Sequence, residues 1–117
     1  MQDSSYKNLI VWQKSIDLVV EIYKLCDNFP KQEQYGLCSQ MQRASVSIPS
    51  NIAEGSRRRT IGDKKHFYNM AFGSASELET QIEIAFRLHY CNKNDYQKLN
   101  DSLVEVLKML NKMSYGT

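Results

Sequence analysis

The sequence predicts an all-α fold, an up-down-up-down antiparallel four-helix bundle, on three observations. Apolar residues recur at steps of three and four along four long segments. Two prolines and five glycines are few breaks for 117 residues, which favours long elements over many short strands. The connections between the segments are short, so consecutive helices should lie side by side and antiparallel. The chain, 1–117, is expected to form one domain with helices at about 9–27, 31–55, 62–89 and 95–113.

In the first segment Trp12, Ile16, Val19, Tyr23 and Cys26 make one stripe, and Val11, Leu18, Ile22 and Leu25 make a second beside it. Lys14, Asp17, Glu21 and Lys24 keep a polar side. In NFPKQE, Pro30 suits a first helical turn, ending one helix and opening the next. The second segment carries Leu37, Met41, Ala44, Ile48 and Ile52 on one face, with Gly36 and Pro49 as irregularities. Pro49 has no N–H for the Ser45 carbonyl and its ring crowds that oxygen. Because the spacing continues past it, the expectation is a kink and not a stop, with Ser45 and Ser47 helping to solvate the carbonyl. Gly55 suits a left-handed helix end, with an extra turn through the arginines as the alternative.

The third helix is capped within Thr60 to Asp63 and turns Phe67, Ala71, Ser74, Ala75, Leu78, Ile82, Ala85 and Leu88 inward. GSAS, residues 73–76, removes bulk so that another helix can approach closely. The fourth starts after Asn92 or Asn94, with a seam of Tyr96, Leu99, Leu103, Val106, Leu107, Leu110 and Met113; SYGT reads as a polar tail. The apolar surplus on the first helix, with Phe72, Ile84 and Phe86 off the main stripe of the third, points to self-association.

Composition narrows the function. Apolar residues are 42% and charged residues 24%, which is globular. No apolar run approaches the ~18 residues of a membrane span. The polar start MQDSSYKNL lacks a signal core, so the expected location is the cytoplasm. Cys26, Cys38 and Cys91 are odd in number and widely spaced, and read as reduced, partly buried thiols. A di-iron bundle needs Glu-x-x-His pairs, but His89 follows Phe86 by three and His66 follows Asp63. No phosphate-binding glycine loop or nucleophile turn occurs. The expectation is a protein that is not an enzyme, with no catalytic residues, cofactor or metal.

Two polar groups remain. Arg43, Asn51, Glu54, Glu77 and Gln81 lie near the inner side of the hairpin made by the second and third helices. If Gly55 sits opposite residue 63, Arg43 faces Ala75 to Glu77 and pairs with Glu77, while Glu54 faces Lys64. This set reads either as a structural polar network that fixes register or as a pocket. The second group follows the glycine. Between Arg43 and His66 there are six cations and two acids, while the rest of the chain has nine basic and eleven acidic residues. Arg57, Arg58, Arg59, Lys64 and Lys65 read either as a solvated turn or as a phosphate-binding patch for RNA or DNA. Tyr68 and His66 are placed to stack on bases beside it.

The stretches YKNLIVWQKSIDLV, NFPKQEQYGLCSQMQRASVSIPSNIAEGSRR and FGSASELETQIEIAFRLHY, in this order and covering nearly the entire chain, resemble the four-helix-bundle proteins encoded in intervening sequences of bacterial 23S ribosomal RNA genes. The accessory variability determinant of diversity-generating retroelements belongs to the same superfamily. The resemblance implies a ring-like homopentamer without known enzymatic activity, and its retroelement branch implies association with a reverse transcriptase and with nucleic acid. The family's hallmarks fall on Arg43, Pro49, Asn51, Glu54, Gly55, Gly73, Ser74, Glu77 and Gln81, and the nucleic-acid role transfers to Arg57 to Arg59. The leading expectation is a non-catalytic, homo-oligomeric, nucleic-acid-associated accessory protein. The alternative is a protein–protein scaffold that self-assembles and docks a partner such as a reverse transcriptase.

Overall fold

The computed structural model describes residues 5–115, so the first part of the polar start and the last two residues of SYGT lie outside the described residues. Four α-helices follow one another: α1 (Ile10–Cys26), α2 (Leu37–Ser56), α3 (Ile61–Arg87) and α4 (Lys93–Tyr115). Short 3-10 turns at Ser5–Asn8 and Lys31–Glu33 precede α1 and α2. Each helix packs on the next and α4 returns to α1, while among the described residues the backbones of helices at opposite corners stay more than 8 Å apart, Cα to Cα. Contacts run antiparallel all round. Cys26 meets Cys38, Ser47 meets Ser74, Phe86 meets Tyr96, and Lys14 meets Glu105.

The core follows the expected periodicity, except that Leu88, expected to face inward at the end of the third helix, is exposed. Leu18, Ile22, Met41, Ile48, Ile52, Leu78, Ile82, Leu103, Val106 and Leu110 are fully buried. Each such side chain adds roughly 1.5–3 kcal/mol over leaving it in water. On α1 the second stripe supplies the core, through Val11, Leu18, Ile22 and Leu25. Of the first stripe only Cys26 is buried; Trp12, Ile16 and Val19 are half-buried and Tyr23 is exposed.

Several boundaries depart from the sequence reading. Helix α2 begins at Leu37, not at 31, because Pro30 is extended (ψ 149°) and Gly36 sits at φ −109°, ψ −109°. Between them Glu33 accepts from the Leu37 N–H at 3.4 Å and from the Tyr90 hydroxyl at 3.1 Å, tying this loop to the end of α3. Helix α2 then runs through Pro49, which is buried, to Ser56. Neither serine expected to serve the Ser45 carbonyl does so: Ser45 donates to Gln42 O, and Ser47 is taken by Asn51 and Ser74. Helix α4 is capped by Asn92, whose Oδ1 accepts from Asp95 N–H at 2.8 Å. It continues through Ser114 and Tyr115, where a polar tail was expected; Ser114 is buried and Tyr115 donates to Asn69 at 2.8 Å.

The end of α3 is closed by His89 at φ 64°. Tyr90 N–H bonds Ala85 O and His89 N–H bonds Phe86 O, which is the Schellman pattern with a histidine where glycine is usual.

Candidate nucleic-acid interface

Four residues, Arg57 to Thr60, link α2 to α3. Helix α2 tightens as it ends, with Arg57 N–H bonding Glu54 O and Arg58 N–H bonding Gly55 O. Thr60 is extended, and its Oγ1 accepts from Asp63 N–H at 3.1 Å to start α3. Gly55 is not the left-handed end the sequence suggested; it is helical and buried, and no glycine has positive φ among the described residues. It is required by proximity. A Cβ there would lie 2.7 Å from Tyr68 Cε1 and 3.1 Å from Phe67 Cβ. Within GSAS, Ser74 reaches α2 and Ala75 is buried, while Gly73 is exposed with nothing within 4 Å of such a Cβ.

The five predicted phosphate ligands are brought to one corner but given unequal work. Arg58 Nη2 pairs with Glu54 at 2.6 Å, and its guanidinium lies over the Phe67 ring at 4.6 Å. The Arg57 guanidinium lies over Tyr6, 5.2 Å from the ring centre. Lys64 Nζ donates to Ser56 O at 3.0 Å, satisfying a carbonyl at the negative end of α2. Arg59 is exposed and Lys65 half-buried. Tyr68, a proposed base-stacking ring, instead packs on Gly55 with its hydroxyl 3.3 Å from Ser56 Oγ. His66 remains exposed, edge-on to Phe67.

The structural polar network separates into pieces. Asn51 donates to Ser47 O and Oγ, both at 2.9 Å, and Ser74 Oγ bridges across to Ser47 Oγ at 2.9 Å. Gln81 donates to Glu77 at 3.4 Å while its buried Oε1 has no partner. Arg43 and Glu77 are both exposed, and the expected ion pair between them does not form. The register differs from the expected one: Ser47 lies opposite Ser74 and Ser56 opposite Tyr68, where the expected pairing put residues 71 and 62. For the same reason Lys64 reaches Ser56, and Glu54 pairs within its own helix.

Folding enlarges the basic corner. Residues 5–14, 50–70 and 105–115 form one end of the bundle, where Tyr6 meets Arg57, Lys14 meets Glu105 and Asn69 meets Tyr115. That end holds nine lysines and arginines against three acids, Glu54, Asp63 and Glu105; the other described residues hold six against nine. Lys7, Lys108 and Lys112 join from remote parts of the chain, and no local sequence signal marked them.

Elsewhere the chemistry is quiet. A cleft of about 400 Å³ between α1 and α4 is lined by mixed charges, among them Asp17, Glu21, Lys24, Asp95 and Lys98. Among the described residues no group of three or more His, Cys, Asp or Glu side chains is placed to hold a metal ion. Cys26, Cys38 and Cys91 are buried and reduced, and burial, with Cys38 alongside, pushes the Cys26 thiol up to about 12. No helix among the described residues is long and apolar enough to cross a membrane.

Comparison with known proteins agrees with this architecture. Residues 7–112 match the family described as 23S rRNA-intervening sequence protein. A solved structure of a protein of unknown function, from the S23 ribosomal protein family of Bacteroides thetaiotaomicron, superposes with a TM-score of 0.82 at 28% sequence identity. The match covers 91% of this chain and 99% of that one. No curated protein matches the chain.

Proposed function

This chain belongs to the 23S rRNA-intervening sequence protein family, and from that membership we propose a non-catalytic accessory protein that assembles with copies of itself and binds RNA or DNA phosphates. The observation that carries the reading is the concentration of nine cations against three acids at one end of the bundle. Each phosphate neutralised there releases condensed counterions, so affinity falls with salt. Arg57, Arg59 and Lys65, with Lys7 and Lys112, are the main contacts; Arg58 and Lys64 act chiefly by holding the corner in shape. Self-assembly as a ring of five repeats this end around the rim. Its support on the subunit is the apolar shoulder of exposed Val20, Tyr23 and Val46 beside half-buried Ile16 and Val19.

A gel-shift titration against structured RNA and duplex DNA over a range of salt concentrations tests the binding. Removing one phosphate contact, by Arg59→Gln or Lys65→Gln, should lower the log–log salt slope by about 0.7–0.9. Arg58→Gln should change it less, since Glu54 already offsets that charge. Absence of binding to both nucleic acids at low salt would end the reading. Light scattering on the eluting protein tests assembly, which requires five times the 13.6 kDa chain mass. The same apolar shoulder supports a second reading, a scaffold docking a protein such as a reverse transcriptase; a partner captured equally well after nuclease treatment would favour it.

A further inference from the structure

Resting on the nucleic-acid reading above, we infer that the ligand is single-stranded, and that an unpaired base stacks at the corner where Tyr6, Trp12 and Arg57 meet. Two of the three consecutive arginines lie over aromatic rings, Arg57 over Tyr6 at 5.2 Å and Arg58 over Phe67 at 4.6 Å. Each ring has an aromatic neighbour at its edge. Trp12 meets Tyr6 at 5.4 Å and 72°, and His66 meets Phe67 at 5.3 Å and 75°.

A patch built only to count phosphates gains most from extended cations with their charge uncancelled. Here the Arg58 charge is offset by Glu54 at 2.6 Å, yet its planar face is held over a ring. Planar cations backed by aromatic rings suit a flat, polarisable partner. The faces of bases are available only where they are unpaired, because a duplex hides them in its stack and offers edges and backbone. Single strands are bound by this combination of cationic surface and aromatic platform. The N-terminal 3-10 turn is the element that supplies the platform. It is tied to α1 by Gln13 Nε2 donating to Lys7 O at 2.8 Å, which fixes Tyr6 one residue away, against Arg57. The acids of α3 farther down, Glu77, Glu79 and Glu83, repel a rigid duplex laid along that helix, whereas a flexible strand can remain at the basic end.

The test uses short oligo(U), oligo(dT) and a duplex with the same number of phosphates, followed by anisotropy over a salt series and by the fluorescence of Trp12, the only tryptophan. Single strands should bind about tenfold tighter than duplex and quench Trp12, by the usual size of base–aromatic stacking. Tyr6→Leu should lose about tenfold on single strands, little on duplex, and leave the salt slope intact, while Tyr6→Phe keeps the affinity. Oligo(U) against oligo(dT) separates RNA from DNA. Equal affinity for duplex and single strand, or a Tyr6→Leu variant that binds unchanged, overturns the stacking inference while leaving phosphate binding in place. Failure of all three probes to bind at low salt overturns both.

Discussion

Replacing Gly55 with alanine puts one methyl group where α2 and α3 are closest. An ordinary helical Gly→Ala change stabilises by up to about 1 kcal/mol, because alanine loses less conformational freedom. At Gly55 the new Cβ lies 2.7 and 2.9 Å from the Tyr68 ring and 3.1 Å from Phe67 Cβ. The Phe67 Cβ is fixed to the α3 backbone, so the Tyr68 ring must swing away from Ser56 or the helices must separate. Overpacking of this kind costs typically 1–3 kcal/mol. Gly73→Ala, at an exposed position in the middle of α3, is the control, since its Cβ meets nothing within 4 Å. The two variants should therefore differ by about 1–3 kcal/mol, the overlap alone. That corresponds to a gap of about 4–12 °C in Tm for a chain of this size. Urea unfolding followed by circular dichroism, with both variants at one protein concentration so that any self-association contributes equally, measures it. Adding Tyr68→Leu to both backgrounds should narrow the gap, as expected for residues in contact. A Gly55→Ala protein as stable as Gly73→Ala would refute the close-approach account of this glycine.

His89→Gly should stabilise by about 1 kcal/mol, read as a raised urea midpoint, because a non-glycine residue at φ 64° carries the left-handed cost. Stability should also fall at both pH extremes, and Tyr96→Phe should weaken both arms of the urea-midpoint profile. The Tyr96 hydroxyl, then Arg87, holds the Glu83 carboxyl below its ordinary 4.5, so that contribution is present above about 4.5 and lost as pH falls through the depressed value. The same bond, at 2.5 Å, holds the Tyr96 phenol above its ordinary 10, so its contribution is present below 10 and lost as pH rises through the elevated value. In the native protein the buried Cys26 thiol, pushed up to about 12, should react with an aromatic disulfide reagent far more slowly than in urea, where all three cysteines become accessible.

The helices were legible because their signal is periodic and repeats: Leu99, Leu103, Val106 and Leu110 have one sensible inside, and it is the inside found. On α1 two stripes were written side by side, and the choice between them belongs to neighbours that periodicity does not contain. Gly55 shows a deeper ambiguity. A glycine before a polar turn suits a left-handed end and suits close packing equally well, and only the position of Tyr68 separates the two. The hairpin register was likewise counted from an assumed pairing of Gly55 with residue 63, while the contacts that form, Ser47 with Ser74 and Ser56 with Tyr68, depend on how the two helices slide against each other. The arginine run was visible in the sequence; its union with Lys7, Lys108 and Lys112, and with the Tyr6 ring, depends on where the ends of α1 and α4 come to rest.

The unequal division of charge also acts before any contact is made. The bundle is 44 Å long, while ionic screening at physiological strength extends only about 8 Å, so a polyanion in solution senses the two ends separately. For the nucleic acid proposed above as ligand, that field would turn the molecule as it diffuses, drawing the cationic face forward and swinging the acidic face away. Orientation would then be biased during the encounter, and dilute buffer should accelerate capture more than it slows release.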